Sequence, residues 1–207
     1  RPGIAVYGLS PVPDLATSAE LGLRPAMSLL GRVANVKRTG AGQGISYGHT
    51  YVTERPTTTV LLPVGYGDGL PRHAGNTGPV LLAGQRHRIA GRVCMDQFVI
   101  DLADLPDGTE PVEVHPGDVA VLFGGAPGQP TAQDWAEVAG TVSYEIVTRI
   151  GPRVPRIYVA RPESSVRPGR RPTVAERRAG RAKTKSSKVK LPKALVEEVT
   201  SADLPVV

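Results

Sequence analysis

Tyr47 stands in Gly44-Ile45-Ser46-Tyr47-Gly48-His49-Thr50-Tyr51, after glycines at 40, 42 and 44. A phenol framed by glycines and small residues can be approached closely by a ligand, and it can carry a proton. Its ordinary pKa of about 10 makes it a poor base near neutrality, so such work needs a nearby cation or a donor that favours phenolate. The same pattern fits an aromatic strand residue packed on a hairpin, and residue types alone leave both readings open. His49 lies two positions on. Strand neighbours at that spacing share a face without having to touch, so His49 is read as surface. A second glycine-framed segment, Gly91-Arg92-Val93-Cys94-Met95-Asp96-Gln97, holds the single cysteine. Cys94 has no adjacent base and reads as a small hydrophobe, and Met95 as a filler of a core gap. Other chemistries lack their patterns: there is no Walker or dinucleotide fingerprint, no paired His or Cys at metal spacing and no Gly-x-Ser-x-Gly elbow. The glycine-rich stretch 124–128 lacks the following Lys-Ser/Thr and is read as a loop.

The elements that must hold these residues are short. With 24 glycines and 20 prolines in 207 residues, turns are frequent and long helices are disfavoured. Apolar or β-branched runs predict strands over residues 3–8, 57–64, 80–82, 86–95, 97–102 and 119–124, and a strand entering a hairpin over 26–37. Turn signals fall between them, at Gly67-Asp68-Gly69, Gly75-Asn76 and Pro116-Gly117-Asp118 among others. Closely spaced strands with such punctuation indicate a mainly β chain, a barrel or sandwich. One short helix is expected, capped at Thr131 or Asp134 and running through Trp135 to Ile146. Residues 154–159 read as a closing edge strand, because Pro155 confines it to an edge.

The net charge of +6 is unevenly divided. Residues 1–160 hold 13 Lys/Arg against 14 Asp/Glu, whereas residues 161–207 hold 12 against 5. That tail is rich in Arg, Lys, Pro, Ser and Ala and poor in aliphatic anchors, so it is expected to be disordered, with at most a marginal amphipathic turn near 195–199. No run approaches the length that spans a bilayer, so no membrane association is expected. A single cysteine fits a reducing, cytoplasmic setting.

In ordered spacing, these motifs resemble the carboxy-terminal half of the pyridoxal-phosphate-dependent alanine racemases. The resemblance spans roughly residues 1–160. It implies that residues 1–15 end the family's (β/α)8 barrel with its last strand, that 16–160 form the β-domain, and that 161–207 are an unmatched basic tail. It makes Tyr47 the base serving L-alanine, with the family's cofactor lysine serving the other face. Arg1 would face the pyridine nitrogen of pyridoxal 5'-phosphate; being hard to deprotonate, it would leave that nitrogen without a proton. The amides of Gly3 and Ile4, with the Tyr144 hydroxyl, would receive the phosphate, the Met95 amide would hold the substrate carboxylate, and Tyr66 would line the approach to the site. Gly151-Pro152-Arg153-Val154-Pro155-Arg156 matches the family's ending.

The family's lysine, and the histidine and arginine that tune its tyrosine, belong to its amino-terminal barrel. No lysine here stands in a matching motif. The chain is therefore expected to be a fragment, inactive alone, of a cytoplasmic homodimer whose tyrosine acts on the partner's cofactor, supplying D-alanine to the bacterial cell wall. A variant of this reading is a racemase that also accepts serine. The rival is a non-enzymatic β-barrel module binding nucleic acid or an acidic partner through the basic tail. The slightly acidic body and an aromatic content of 4% argue against that rival, since both footprint and stacking platform are lacking.

Overall fold

The computed structural model describes residues 1–106, 109 and 111–159. Among them the strands are β1 (Leu29–Arg32), β2 (Asn35–Thr39), β3 (Gly44–Ile45), β4 (Tyr51–Val52), β5 (Thr57–Leu62), β6 (Pro79–Leu82), β7 (Gln85–Ala90), β8 (Phe98–Asp101) and β9 (Val119–Phe123). Two helices follow, α1 (Ala132–Ala139) and α2 (Ser143–Arg149). The expectation of a mainly β chain holds.

Seven strands form one antiparallel sheet in the order β1-β9-β6-β7-β8-β5-β2. β1 and β2 are consecutive in the chain yet occupy opposite edges, with only Val33 and Ala34 between them. Three peptide steps reach about 11 Å at most, so the sheet must curl until its edges meet. The two linking residues bind one edge each: the Val33 N–H donates to the Asp118 carbonyl, and the Ala34 N–H to that of Leu61. Residues 26–37 are thus a corner between edges, and the expected hairpin there is not formed.

The curl encloses the core. Val60, Ile100 and Ile89 stand in register across β5, β8 and β7, with Leu62 opposite Phe98, and all five are buried. β-branched and aromatic side chains suit such a pleated wall. Helix α1 packs its Trp135 into this core, where the indole N–H donates to the Leu122 carbonyl at 2.6 Å. The helix starts at a capping box: the Thr131 hydroxyl accepts from the Asp134 amide, and the Asp134 carboxylate accepts from the Thr131 amide.

Four expected elements differ. Residues 3–8 form no strand; Gly3–Tyr7 make a 3-10 turn with only Ile4 buried. A five-residue apolar run cannot be told from a buried turn by periodicity. The expected single helix is divided at Gly140, whose left-handed φ of 66° caps α1 before α2 begins at Ser143. The strand of 86–95 stops at Ala90, and 154–159 has no strand partner and is largely exposed. The basic tail and its possible turn near 195–199 lie outside the described residues. Among the described residues, no helix is long and apolar enough to cross a membrane.

Candidate functional site

Tyr47 sits at the tip of the small β3–β4 hairpin, which pairs only Gly44 with Val52 and Ile45 with Tyr51. Its ring is 72% exposed, so it is not the packed strand aromatic that was one of the two sequence readings. The loop around it is unusual in backbone terms. Ser46 has φ 62° and ψ −175°, a region used almost only by glycine, and His49 has φ 46°. Each such residue costs about 1–3 kcal/mol and persists only where surroundings enforce it. The enforcement comes from the 91–94 segment. Gly91 lets the hairpin approach: a Cβ there would meet the Ile45 carbonyl oxygen at 2.6 Å. The Ser46 hydroxyl donates to the Arg92 carbonyl at 2.8 Å and lies 3.4 Å from the Cys94 sulfur.

The segment after Cys94 is bound to the loop that carries Tyr66. The Tyr66 amide donates to the Cys94 carbonyl at 3.0 Å, and the Gly67 amide to that of Met95 at 2.8 Å. A side chain at Gly65 would strike these same carbonyls. The Asp68 carboxylate accepts from the Gly65 amide at 2.7 Å, and Arg153 bridges Asp68 to Asp96, the residue after Met95. These two carboxylates push the Arg153 pKa upward, the hydrogen bond to Asp96 contributing most. Tyr47, Tyr66 and Met95 therefore stand on loops joined by hydrogen bonds. Met95 is half exposed, not the core filler its strand reading suggested. Its N–H donates to no backbone or side-chain acceptor among the described residues.

A second cluster lies at the chain start. The Tyr144 hydroxyl, on the first turn of α2, accepts from the Ile4 amide at 2.9 Å. Gly3 makes room for it, since a Cβ there would fall 2.6 Å from that oxygen. Arg1 is exposed and makes no side-chain hydrogen bond or ion pair among the described residues. No hydrogen bond or ion pair joins this cluster to that of Tyr47 among the described residues.

Three contributors were not read from sequence. Asn76 was noted only as part of a turn, yet its side chain accepts from the Gly91 amide at 2.6 Å and donates to the Thr50 carbonyl and hydroxyl at 3.3 Å. The Ser46 hydroxyl and Arg153 are the others. A glycine-asparagine pair facing a glycine-framed loop is the signal that existed for Asn76. His49 is exposed as expected, its ring folded over Gly44.

The sequence model of the alanine racemase C-terminal domain matches residues 26–158. The chain belongs to the alanine racemase family. It is 56% identical over 160 residues to the alanine racemase of Streptomyces coelicolor, covering 77% of this chain and 39% of that protein. It is 59% identical over 160 residues to that of Salinispora arenicola, covering 76% and 40%. The crystal structure of alanine racemase from D-cycloserine-producing Streptomyces lavendulae superposes with a TM-score of 0.72 at 55% identity, over 78% of this chain and 41% of that one. The biosynthetic enzyme of Pseudomonas aeruginosa gives 0.67 at 38% identity, over 76% and 41%. The chain thus spans about two-fifths of the length of the family members it matches.

Proposed function

We propose that this chain supplies the tyrosine-bearing part of an alanine racemase that interconverts L- and D-alanine with pyridoxal 5'-phosphate, the D-alanine going to peptidoglycan. In this reading residues 1–15 end the barrel, 16–160 are the β-domain and 161–207 a basic extension. The whole works as a cytoplasmic homodimer with sites shared between subunits.

The donor set fits the cofactor. The Tyr144 hydroxyl accepts from the Ile4 amide and keeps its own proton for another acceptor. With the Ile4 N–H given to Tyr144, the Tyr144 hydroxyl and the Gly3 N–H would be the donors to a phosphate, and the Arg1 guanidinium, near in sequence, the donor to a ring nitrogen. The cofactor, when bound, withdraws electrons from the amino acid and makes its α-hydrogen acidic. Tyr47 then takes or returns that proton on the L face, the Met95 N–H orients the carboxylate, and Tyr66 narrows the approach. A second base is needed on the opposite face. Lys37, the one lysine among the described residues, lies on β2 with its carbonyl accepting from Thr59, far from this role. The family resemblance implies that this base is a lysine of the amino-terminal barrel, without which this chain is expected to be inactive.

The observation that supports the reading is the exposed Tyr47, held on a loop that hydrogen bonds join to those of Met95 and Tyr66, in a chain of the alanine racemase family. In the proposed homodimer, Tyr47 and Met95 of one subunit would face the Ile4–Tyr144 cradle of the other, as the family resemblance implies. The test is racemisation by this chain mixed with a separately produced racemase barrel and pyridoxal 5'-phosphate. Tyr47→Phe is expected to cut racemisation by at least about 100-fold while bound cofactor, read by absorbance, is retained. Normal turnover by that variant would sink the assignment.

A further inference from the structure

The β3–β4 hairpin has two residue pairs, too few to hold a loop in which Ser46, Gly48 and His49 all have positive φ. Both ends of the loop are tied elsewhere, and to the same place. At its start, Ser46 donates through its hydroxyl to the Arg92 carbonyl. At its end, Thr50 receives the side-chain amide of Asn76 on its carbonyl and hydroxyl. Asn76 in turn holds Gly91 by both polar groups. Its backbone N–H donates to the Gly91 carbonyl at 3.0 Å, and its side-chain oxygen accepts from the Gly91 N–H at 2.6 Å. The ring is thus closed through residues 45–46, 91–92, 76 and 50, with Tyr47 inside it. With the Thr50 tie removed, the loop would keep the Ser46 bond and the two-pair hairpin, whose Tyr51 hydroxyl donates to Asp101, but its far end would lose its link to the 91–92 segment.

The chemistry of position 76 is narrow. Its φ of 63° suits glycine or asparagine. Its side-chain amide offers, on two separate atoms, both the acceptor that Gly91 needs and the donor that Thr50 needs. Glycine would keep the backbone and lose both bonds. Aspartate would keep the acceptor and lose the donor.

We propose that Asn76 is a positioning residue for Tyr47, tying the tyrosine loop to the segment that leads into Met95 and so fixing the phenol relative to the bound amino acid. The catalytic half of this statement rests on the racemase reading above; the clamp itself does not.

The experiment uses the full chain, carrying 3-fluorotyrosine, as Asn76→Gly and Asn76→Asp variants. The Tyr47 fluorine signal is assigned by its loss in Tyr47→Phe, and exchange of the Gly91 amide is followed in parallel. Asn76→Gly is expected to broaden or shift the Tyr47 signal and to speed Gly91 exchange by roughly tenfold or more. Asn76→Asp, which keeps the Gly91 acceptor, is expected to move the fluorine signal while leaving Gly91 protected. Assembled with a racemase barrel and cofactor, Asn76→Gly is expected to lower kcat by roughly 10- to 100-fold, with cofactor retained and KM for alanine within about threefold. An unchanged Tyr47 signal in both variants overturns the clamp, and a kcat within about twofold of the unaltered protein overturns the positioning role. Full activity of Tyr47→Phe would instead break the racemase reading, leaving the clamp to be judged by the fluorine signal.

Discussion

His87 offers the sharpest test of how this core is built. It lies on β7 opposite Val80 of β6, it is 2% exposed, and neither ring nitrogen has a hydrogen-bond partner among the described residues. Burial is the main cause of its lowered pKa, opposed by the nearby Asp104 and Asp101 carboxylates. An unmet buried polar group costs about 1–3 kcal/mol, so His87→Leu, similar in bulk and fully apolar, is expected to stabilise the chain by about 1–2 kcal/mol at pH 7.5. The pH dependence has a definite sign. The folded state keeps the ring neutral, whereas the unfolded chain takes up a proton below about pH 6.5. Stability conferred at neutral pH is therefore lost as pH falls through 6.5, and continues to fall until the depressed folded value is reached. Between pH 7.5 and 5.5 the unaltered protein is therefore expected to lose stability through this one group, a loss that His87→Leu does not share. Urea denaturation of both proteins across that range isolates the difference, because their carboxylates are shared. A leucine variant that is less stable at pH 7.5, or a difference that stays flat with pH, would refute the reasoning.

Two further substitutions probe the frame around the site. Trp135→Phe removes the indole donor from the Leu122 carbonyl and leaves space in the core, and is expected to cost about 1–3 kcal/mol by denaturant unfolding. Thr131→Ala breaks the capping box of α1 and should cost about 1 kcal/mol, with a loss of helical circular dichroism on heating that precedes that of the unaltered chain.

The wall of the fold was legible because β5, β6, β8 and β9 are dense in β-branched and apolar residues and are bounded by turn residues. What the pattern could not convey was closure. Nothing local in residues 26–37 distinguishes a hairpin from a corner, since the partners of β1 and β2 lie in β9 and β5. Gly140 was readable as a helix stop, yet the apolar spacing continued across it to Ile146. At the site, glycine framing pointed to Tyr47 as open to close approach, whereas the apolar run ending at Met95 read as a strand, and a hydroxyl or amide that ties loops together leaves no periodic trace. Asn76 and Ser46 look like turn residues in sequence. Their importance comes from segments 46, 50 and 91 meeting in space.

The stitching of the sheet edges at Val33 and Ala34 bears on how the molecule is born. β1 emerges from the ribosome about ninety residues before β9, its only strand partner among the described residues, and β6 also waits for β9 on one side. At a synthesis rate of about 5–20 residues per second, those backbone edges stay unmatched for several seconds or longer. The last strand made is the one that closes the wall, sliding between the first and the sixth. Until it arrives, the nascent chain presents bare strand edges that other chains could pair with, so aggregation during synthesis is set by the wait for residues 119–123.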